Sequence, residues 1–276
     1  MRAQVTVTVN EAKRIIAKGI SRMPSVQNAL RSGKIFLKGG TTVSCVSEEL
    51  TGKPLRISGR IVPEGTKTAQ VQSLGFHCAL IEGGELIDAD ESLEQTIENL
   101  KAQDVAVIGA NAIDVFGNSA LMYGIALGGG PGRIISGVIA EIENIIIAAG
   151  LEKLVPGSIT DIVTKAGRKN VDRSIGMAVG LIPLGGRIIT EKDAISLLAE
   201  VSCTVVGRGG VFGAEGATTM IIEGDKREVE NVFQIILSLK DQKVSGTQKS
   251  LPSCTAPHER CKIHRACIYK KTKKRD

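Results

Sequence analysis

Lys34-Ile-Phe-Leu-Lys-Gly-Gly-Thr-Thr42 is the stretch on which the fold turns. Residues 34–38 form a short apolar run, two glycines follow, and an amphipathic segment then continues to about Leu50, with Gly52 and Pro54 beyond it. A brief apolar run, a glycine break and a helical period predict a strand, a tight turn and a helix. Upstream, residues 4–9 alternate as a strand, Asn10 is placed to cap a helix running to Ile20, and Pro24 opens a second helix that stops at Gly33.

Downstream the alternation repeats. Strands are expected at 55–58, 78–82, 85–88, 105–108, 144–148 and 176–182, with helices at 91–102, 132–141 and 158–166. Such spacing implies an α/β fold, a mostly parallel sheet flanked by helices and joined by right-handed crossovers. Pro183-Leu-Gly-Gly186 then punctuates the chain. The elements that follow, 187–190, 191–200, 202–208, 217–223 and 225–239, read β-α-β-β-α, five of the six parts of a ferredoxin-like unit. The expected organisation is a first domain over 1–183, a small ferredoxin-like α+β domain over 184–243, and a Cys/His-rich basic tail over 244–276.

Composition agrees with this class. A chain of 276 residues with 42% hydrophobic and only 3% aromatic residues fills its core with Ile, Val, Leu and Ala, as buried parallel strands do. No apolar run reaches the roughly 20 residues that span a bilayer; the longest, 134–149, is interrupted by Glu141 and Glu143. Residues 1–9 alternate polar and apolar side chains, unlike a secretion signal, so the expectation is a cytoplasmic protein that does not cross a membrane.

The net charge of +6 is unevenly placed: from Asp241 onward ten Lys or Arg face three Asp or Glu, which leaves −1 for the rest. Basicity therefore belongs to the tail, read as a solvated end or as an attractor of acidic partners.

Gly39, Gly40, Thr41 and Thr42 lie where a strand ends and a helix begins. Glycine admits close approach to the backbone, the first helical amides lack partners, and the Thr hydroxyls add donors, so the segment is either a seat for a phosphate-sized anion or a tight turn with a Thr cap and no ligand. Lys38 would add charge. A second glycine-rich stretch contains Asn111, Asp114, and Gly128, Gly129 and Gly130 followed by Arg133. Two such strand ends can meet at one crevice.

The cysteines divide into two groups. Cys45 is either a thiol activated by the helix start or a buried core residue; Cys78, beside His77, and Cys203 lie in apolar strands. The tail carries Cys254, Cys261, His264 and Cys267, with His258 as a spare. Three thiolates and one imidazole match the ligand types of a zinc knuckle, and three cysteines suit an iron–sulfur cluster; an incidental arrangement is the third reading. The lysines after Tyr269 give such a knuckle a weak route to nucleic acid. Residues 207–216 form a glycine-rich hairpin loop whose Arg208 and Glu215 either reach the crevice or flank a connector.

Three ordered blocks, 34–42, 107–114 (Val-Ile-Gly-Ala-Asn-Ala-Ile-Asp) and 145–156 (Ile-Ile-Ile-Ala-Ala-Gly-Leu-Glu-Lys-Leu-Val-Pro), resemble the ribose-5-phosphate isomerase, glucosamine-6-phosphate deaminase and CoA-transferase-like superfamily. The resemblance implies that Gly39 to Thr42 hold a phosphate and that Asn111 and Asp114 face a substrate hydroxyl or move a proton. It also implies that Gly128 to Gly130 with Arg133 close the far side, and that Lys153 contacts the ligand. Gly109-Ala-Asn111 stands where the isomerases carry an Asp-Gly-Ala-Asp-Glu run, and Leu127 occupies their lysine position, so the resemblance points to the fold more than to that reaction.

The leading expectation is a protein that binds an anionic small molecule, a phosphosugar, nucleotide or CoA-linked compound, and acts on it as an isomerase, transferase or hydrolase. The alternative is a metal-binding regulatory or nucleic-acid-associated module that uses the tail. A scaffold that forms a homo-oligomer is a third.

Overall fold

The computed structural model describes residues 1–68, 75–252, 254 and 259–270; the side chains of residues 131, 133, 259 and 260 lie outside that description. The chain begins with β1 (Arg2–Val7), α1 (Val9–Ser21), α2 (Pro24–Ser32), β2 (Lys34–Lys38) and α3 (Thr41–Thr51). Two hairpins follow, β3 (Gly59–Val62) with β4 (Gly65–Thr68) and β5 (Cys78–Glu82) with β6 (Glu85–Asp88). The middle of the chain comprises α4 (Leu93–Glu98), β7 (Val105–Gly109), β8 (Ala112–Ile113), β9 (Ser119–Tyr123), α5 (Gly129–Arg133), α6 (Ile135–Glu141), β10 (Ile145–Ala148) and α7 (Ile159–Lys165). It ends with β11 (Gly180–Leu184), β12 (Arg187–Ile189), α8 (Glu191–Leu198), β13 (Val201–Gly209), β14 (Ala217–Gly224) and α9 (Lys226–Ser238).

Three apolar runs build the centre. Side chains alternate across a strand, so a strand covered on both faces must be apolar at every position. In β2, Ile35 and Leu37 enter one core and Phe36 the other; in β7, Val105 and Val107 oppose Ala106 and Ile108; in β10, Ile146 and Ala148 oppose Ile145 and Ile147. The six-stranded sheet runs β12-β10-β7-β2-β5-β6. Its first four strands are mutually parallel, and β5 and β6 extend it as an antiparallel hairpin, so the sheet is mixed.

The first core continues through α1 and α8 into a second sheet, β1-β14-β13, whose Val5, Val7, Cys203, Met220 and Ile222 join the same apolar cluster. Helices α1 and α8 cross closely because Gly19 faces Ala194: a Cβ on Gly19 would sit 2.6 Å from the Ala194 Cβ. The second core, under α4 and α6, is closed by Leu121 and Leu184 from the three-stranded sheet β11-β9-β8.

Several expectations are corrected. The strand expected to open a ferredoxin-like unit, β12, instead pairs with β10 at the edge of the large sheet, where Ile189 is fully buried. Its place beside β14 is taken by β1, with Thr6 and Thr219 bonded hydroxyl to hydroxyl at 2.9 Å. The cap of α1 is Thr8, not Asn10: the Thr8 hydroxyl accepts from Glu11 N–H while the Glu11 carboxylate accepts from Thr8 N–H.

The apolar residues at 55–58 are buried without forming a strand, since their backbone partners are elsewhere. Leu55 O accepts from Thr247 N–H and Ile57 N–H donates to the Ser250 hydroxyl.

Those bonds tie the start of the tail to the fold, while its described basic side chains, Lys243, Lys249, Lys262, Arg265 and Lys270, remain exposed. The Ser245 hydroxyl bonds Ser44 at 2.7 Å and Glu48 at 2.8 Å. Lys67, almost wholly buried, donates to the Cys254 carbonyl at 2.6 Å and lies 3.5 Å from the centre of the Tyr269 ring. Ser174 pairs with Cys267 in a parallel bridge. Among the described residues no helix is long and apolar enough to cross a membrane.

Candidate anion-binding cleft

A cleft of about 490 Å³ opens at the carboxyl ends of β2 and β7. That position follows from the sheet: strand ends, helix starts and loops converge there, which is where open α/β sheets bind ligands. Its floor is the 39–42 turn; β3 and β4 form one wall and β9 another.

The turn is shaped for close contact. A Cβ on Gly39 would meet the His77 carbonyl oxygen at 2.2 Å, because the Gly39 amide already bonds that oxygen at 2.6 Å. The first bond inside α3 runs from Ser44 N–H to Gly40 O, and no side chain caps the helix, so its leading amides are not spent on a cap.

The cleft lining is one-signed. Lys13, Lys38, Arg60 and Lys153 line it, and no Asp or Glu does so among the described residues. Burial pushes the Lys13 ammonium below its ordinary value, with Glu152 pulling it back up and Lys153 pushing it further down. Lys153 Nζ lies 3.7 Å from Glu152 Oε1, a loose ion pair.

Several polar groups of the walls make no hydrogen bond among the described residues. Buried groups find hydrogen bonds in nearly all proteins. Here Arg60 Nε and Nη1, Thr68 Oγ1 and Tyr123 Oη are buried and make no hydrogen bond among the described residues, and all three residues line this cleft.

His77 is held neutral. Its Nδ1 lies 3.0 Å from the Arg56 carbonyl oxygen, which can only accept, so Nδ1 carries the proton and Nε2 is left as an acceptor. Burial, followed by the charge of Lys38, pushes its pKa down from 6.5 to about 4. Asp90 braces it from behind, accepting from His77 N–H at 2.9 Å and from Arg56 at 2.6 Å.

Of the residues singled out in the sequence, Gly39, Gly40, Thr41, Thr42, Asn111, Gly128 and Lys153 meet in this cleft. Asn111 is oriented by Met122, whose amide donates to its Oδ1 at 3.0 Å. Gly129 and Gly130 lie beyond the lining in the first turn of α5, and the Arg133 side chain is outside the described residues.

Asp114 is elsewhere. Its carboxylate accepts from the amides of Phe116, Asn118 and Ile159 and from the Asn118 side chain, all at 2.9 Å, which exhausts a carboxylate's lone pairs on a loop brace. Burial opposes its charge, yet those four donors hold its carboxyl below the ordinary range. The role of proton carrier expected for it does not match this placement.

Sequence reading missed Lys13, Arg60, Thr68 and Tyr123. A signal existed for two of them: Lys13 interrupts the apolar face of α1 formed by Ala12, Ile15 and Ile16, and Tyr123 is one of two tyrosines in the chain. Arg60 and Thr68 gave none, since their hairpin has no apolar alternation.

The activated reading of Cys45 is also overturned: burial pushes its thiol up to about 11 against the pull of Arg14 and Lys13. In the tail, Cys254, Cys261 and His264 are buried and Cys267 is half-buried; His258 falls outside the described residues. Among the described residues no group of three or more His, Cys, Asp or Glu is arranged to hold a metal ion. No protein-family model matches the chain, and no curated protein is significantly similar to it.

Proposed function

We propose that the protein binds a small anionic molecule, a phosphosugar, nucleotide or CoA-linked compound, in the cleft between β2 and β9. The observation that carries this reading is the set of buried groups on Arg60, Thr68 and Tyr123 that make no hydrogen bond among the described residues, in a lining that holds Lys13, Lys38, Arg60 and Lys153 and, among the described residues, no Asp or Glu. An unsatisfied buried polar group costs about 1–3 kcal/mol, so a ligand that supplies acceptor oxygens to these donors is favoured.

Each part of the cleft has a share in such binding. The amides at the start of α3 and the hydroxyls of Thr41 and Thr42 would take a phosphate; Lys13 and Lys153 would balance its charge. Asn111 and neutral His77 would meet the less charged part of the ligand. The volume lies in the range of small-molecule sites. The resemblance of the 34–42 block to a superfamily that acts on phosphosugars and CoA esters supports the same ligand class, and isomerase, transferase or hydrolase chemistry follows from it as the reactions to assay.

Thermal unfolding with inorganic phosphate, phosphosugars, nucleotides and CoA esters tests the reading. A ligand at a hundredfold excess over its Kd stabilises by about 2.7 kcal/mol. A shift that is lost in Thr41→Val with Lys13→Met supports the cleft; no shift with any of these compounds overturns it.

A further inference from the structure

Lys38 differs from the other cations of the cleft. Alternation along β2 puts it on the face that carries Phe36, toward the core closed by α6 and β9, and it is only 6% exposed. None of the seven ion pairs among the described residues includes it, whereas Lys153 pairs with Glu152. Its Nζ lies 5.6 Å from the centre of the Tyr123 ring, the ring whose hydroxyl is buried without a partner among the described residues. It also adjoins the anion turn directly in the chain.

A lysine that only bound phosphate would work better charged and wet, as a compact hydrated cation does. A lysine largely buried and without a carboxylate partner is instead suited to act as a neutral amine. We propose that Lys38 is a nucleophile: its Nζ forms a protonated imine with the carbonyl carbon of a phosphorylated aldehyde or ketone whose phosphate rests on the 39–42 turn. This rests on the anion-binding reading and names the substrate class of the same cleft.

The step balances without an oxidant or reductant. The neutral amine's lone pair forms the C–N bond while the carbonyl π pair moves to oxygen. The nitrogen then loses a proton and the oxygen gains one, giving a carbinolamine. A further proton lets that oxygen leave as water as nitrogen donates its pair, which leaves the iminium ion. Tyr123 and His77 both line the cleft and would serve as proton donor and acceptor for these transfers. Burial holds the Lys38 ammonium below the ordinary lysine value, with Cys78 pulling the other way; His77 and Tyr123 are the other titratable groups facing it.

The probe is pyridoxal 5′-phosphate, fixed with borohydride on the whole protein and located by peptide mass mapping, with and without inorganic phosphate as competitor. A lowered amine pKa raises the neutral fraction, and the 39–42 turn would anchor the probe's phosphate beside Lys38, so the Lys38 peptide should carry more adduct than any other lysine peptide. Phosphate should suppress it.

Adduct spread over exposed lysines, adduct centred on Lys13 or Lys153, or indifference to phosphate overturns the assignment. If phosphate stabilises the protein against heat but Lys38 stays unmodified, the nucleophile falls and the anion site stands; if neither phosphate nor any of the phosphosugars, nucleotides and CoA esters gives a shift, both fall. The map is read on wild-type protein, so it does not depend on a variant folding. Lys38→Arg and Lys38→Met, checked by circular dichroism, should each remove the adduct.

Discussion

Acidification should weaken this fold through one imidazole. His77 has a folded pKa of about 4 against an ordinary 6.5, because burial and Lys38 disfavour its charged form. As pH falls below 6.5 the unfolded chain takes up a proton that the folded chain refuses until about 4, so stability is present above that window and is lost across it. At about 1.4 kcal/mol per unit, the whole window is worth about 3 kcal/mol, and by roughly pH 5 about 2 kcal/mol is gone.

The control is His77→Asn, whose side-chain amide can still donate to the Arg56 carbonyl as Nδ1 does but has no proton to gain. Asp90, the neighbouring carboxyl, sits below the ordinary range through its hydrogen bonds from His77, Cys78 and Arg56, so it titrates beneath the window. Urea unfolding at about pH 7.5 and pH 5 should show the wild type losing about 2 kcal/mol more than the variant. Parallel losses in the two proteins would refute the claim that His77 is buried neutral.

Three other outcomes follow from the same geometry. Asp114→Asn should cost about 3 kcal/mol in urea unfolding, since an amide cannot accept all four donors, yet leave the stabilisation by phosphate intact; loss of the phosphate effect at unchanged stability would return Asp114 to the site. Lys13→Met should weaken phosphate binding by roughly 5- to 10-fold in calorimetry, about 1 kcal/mol, and an unchanged Kd would remove Lys13 from the anion's surroundings. Cys45 and Cys78, with thiols pushed up to about 11 and about 12 by burial, should resist iodoacetamide at neutral pH until the protein unfolds; prompt alkylation of either would contradict their burial.

What could be read in the sequence was whatever depends on neighbours along the chain. The three central strands, the Pro24 start of α2, the helix expected from residue 158 and the hairpin of β5 and β6 all carry their cause locally, in apolar runs, helix starts and glycine pairs. So did the floor of the cleft, because a glycine turn between strand and helix is a local pattern. Strand partners were not legible: β1 takes the place beside β14 expected for β12, and β12 joins β10, because burial of Ile189 and of Val5 with Val7 is decided by distant faces. The walls of the cleft were hidden for the same reason. Arg60 acquires its role only when residues 245–252 fold back along residues 55–60, where its guanidinium donates to the Pro252 carbonyl.

The pairing of β1 with β14 has a consequence for biosynthesis. Arg2 lies opposite Glu223 and Val7 opposite Thr218, so β1 leaves the ribosome more than two hundred residues before its partner exists. At 5–20 residues per second that interval is roughly 10–40 s. Until then Val5 and Val7 have no sheet to join, and α1 lacks part of the surface it packs on. Maturation of this chain should therefore be gated by the emergence of β14, with the nascent amino-terminal segment a natural client for a chaperone that shields short apolar strands.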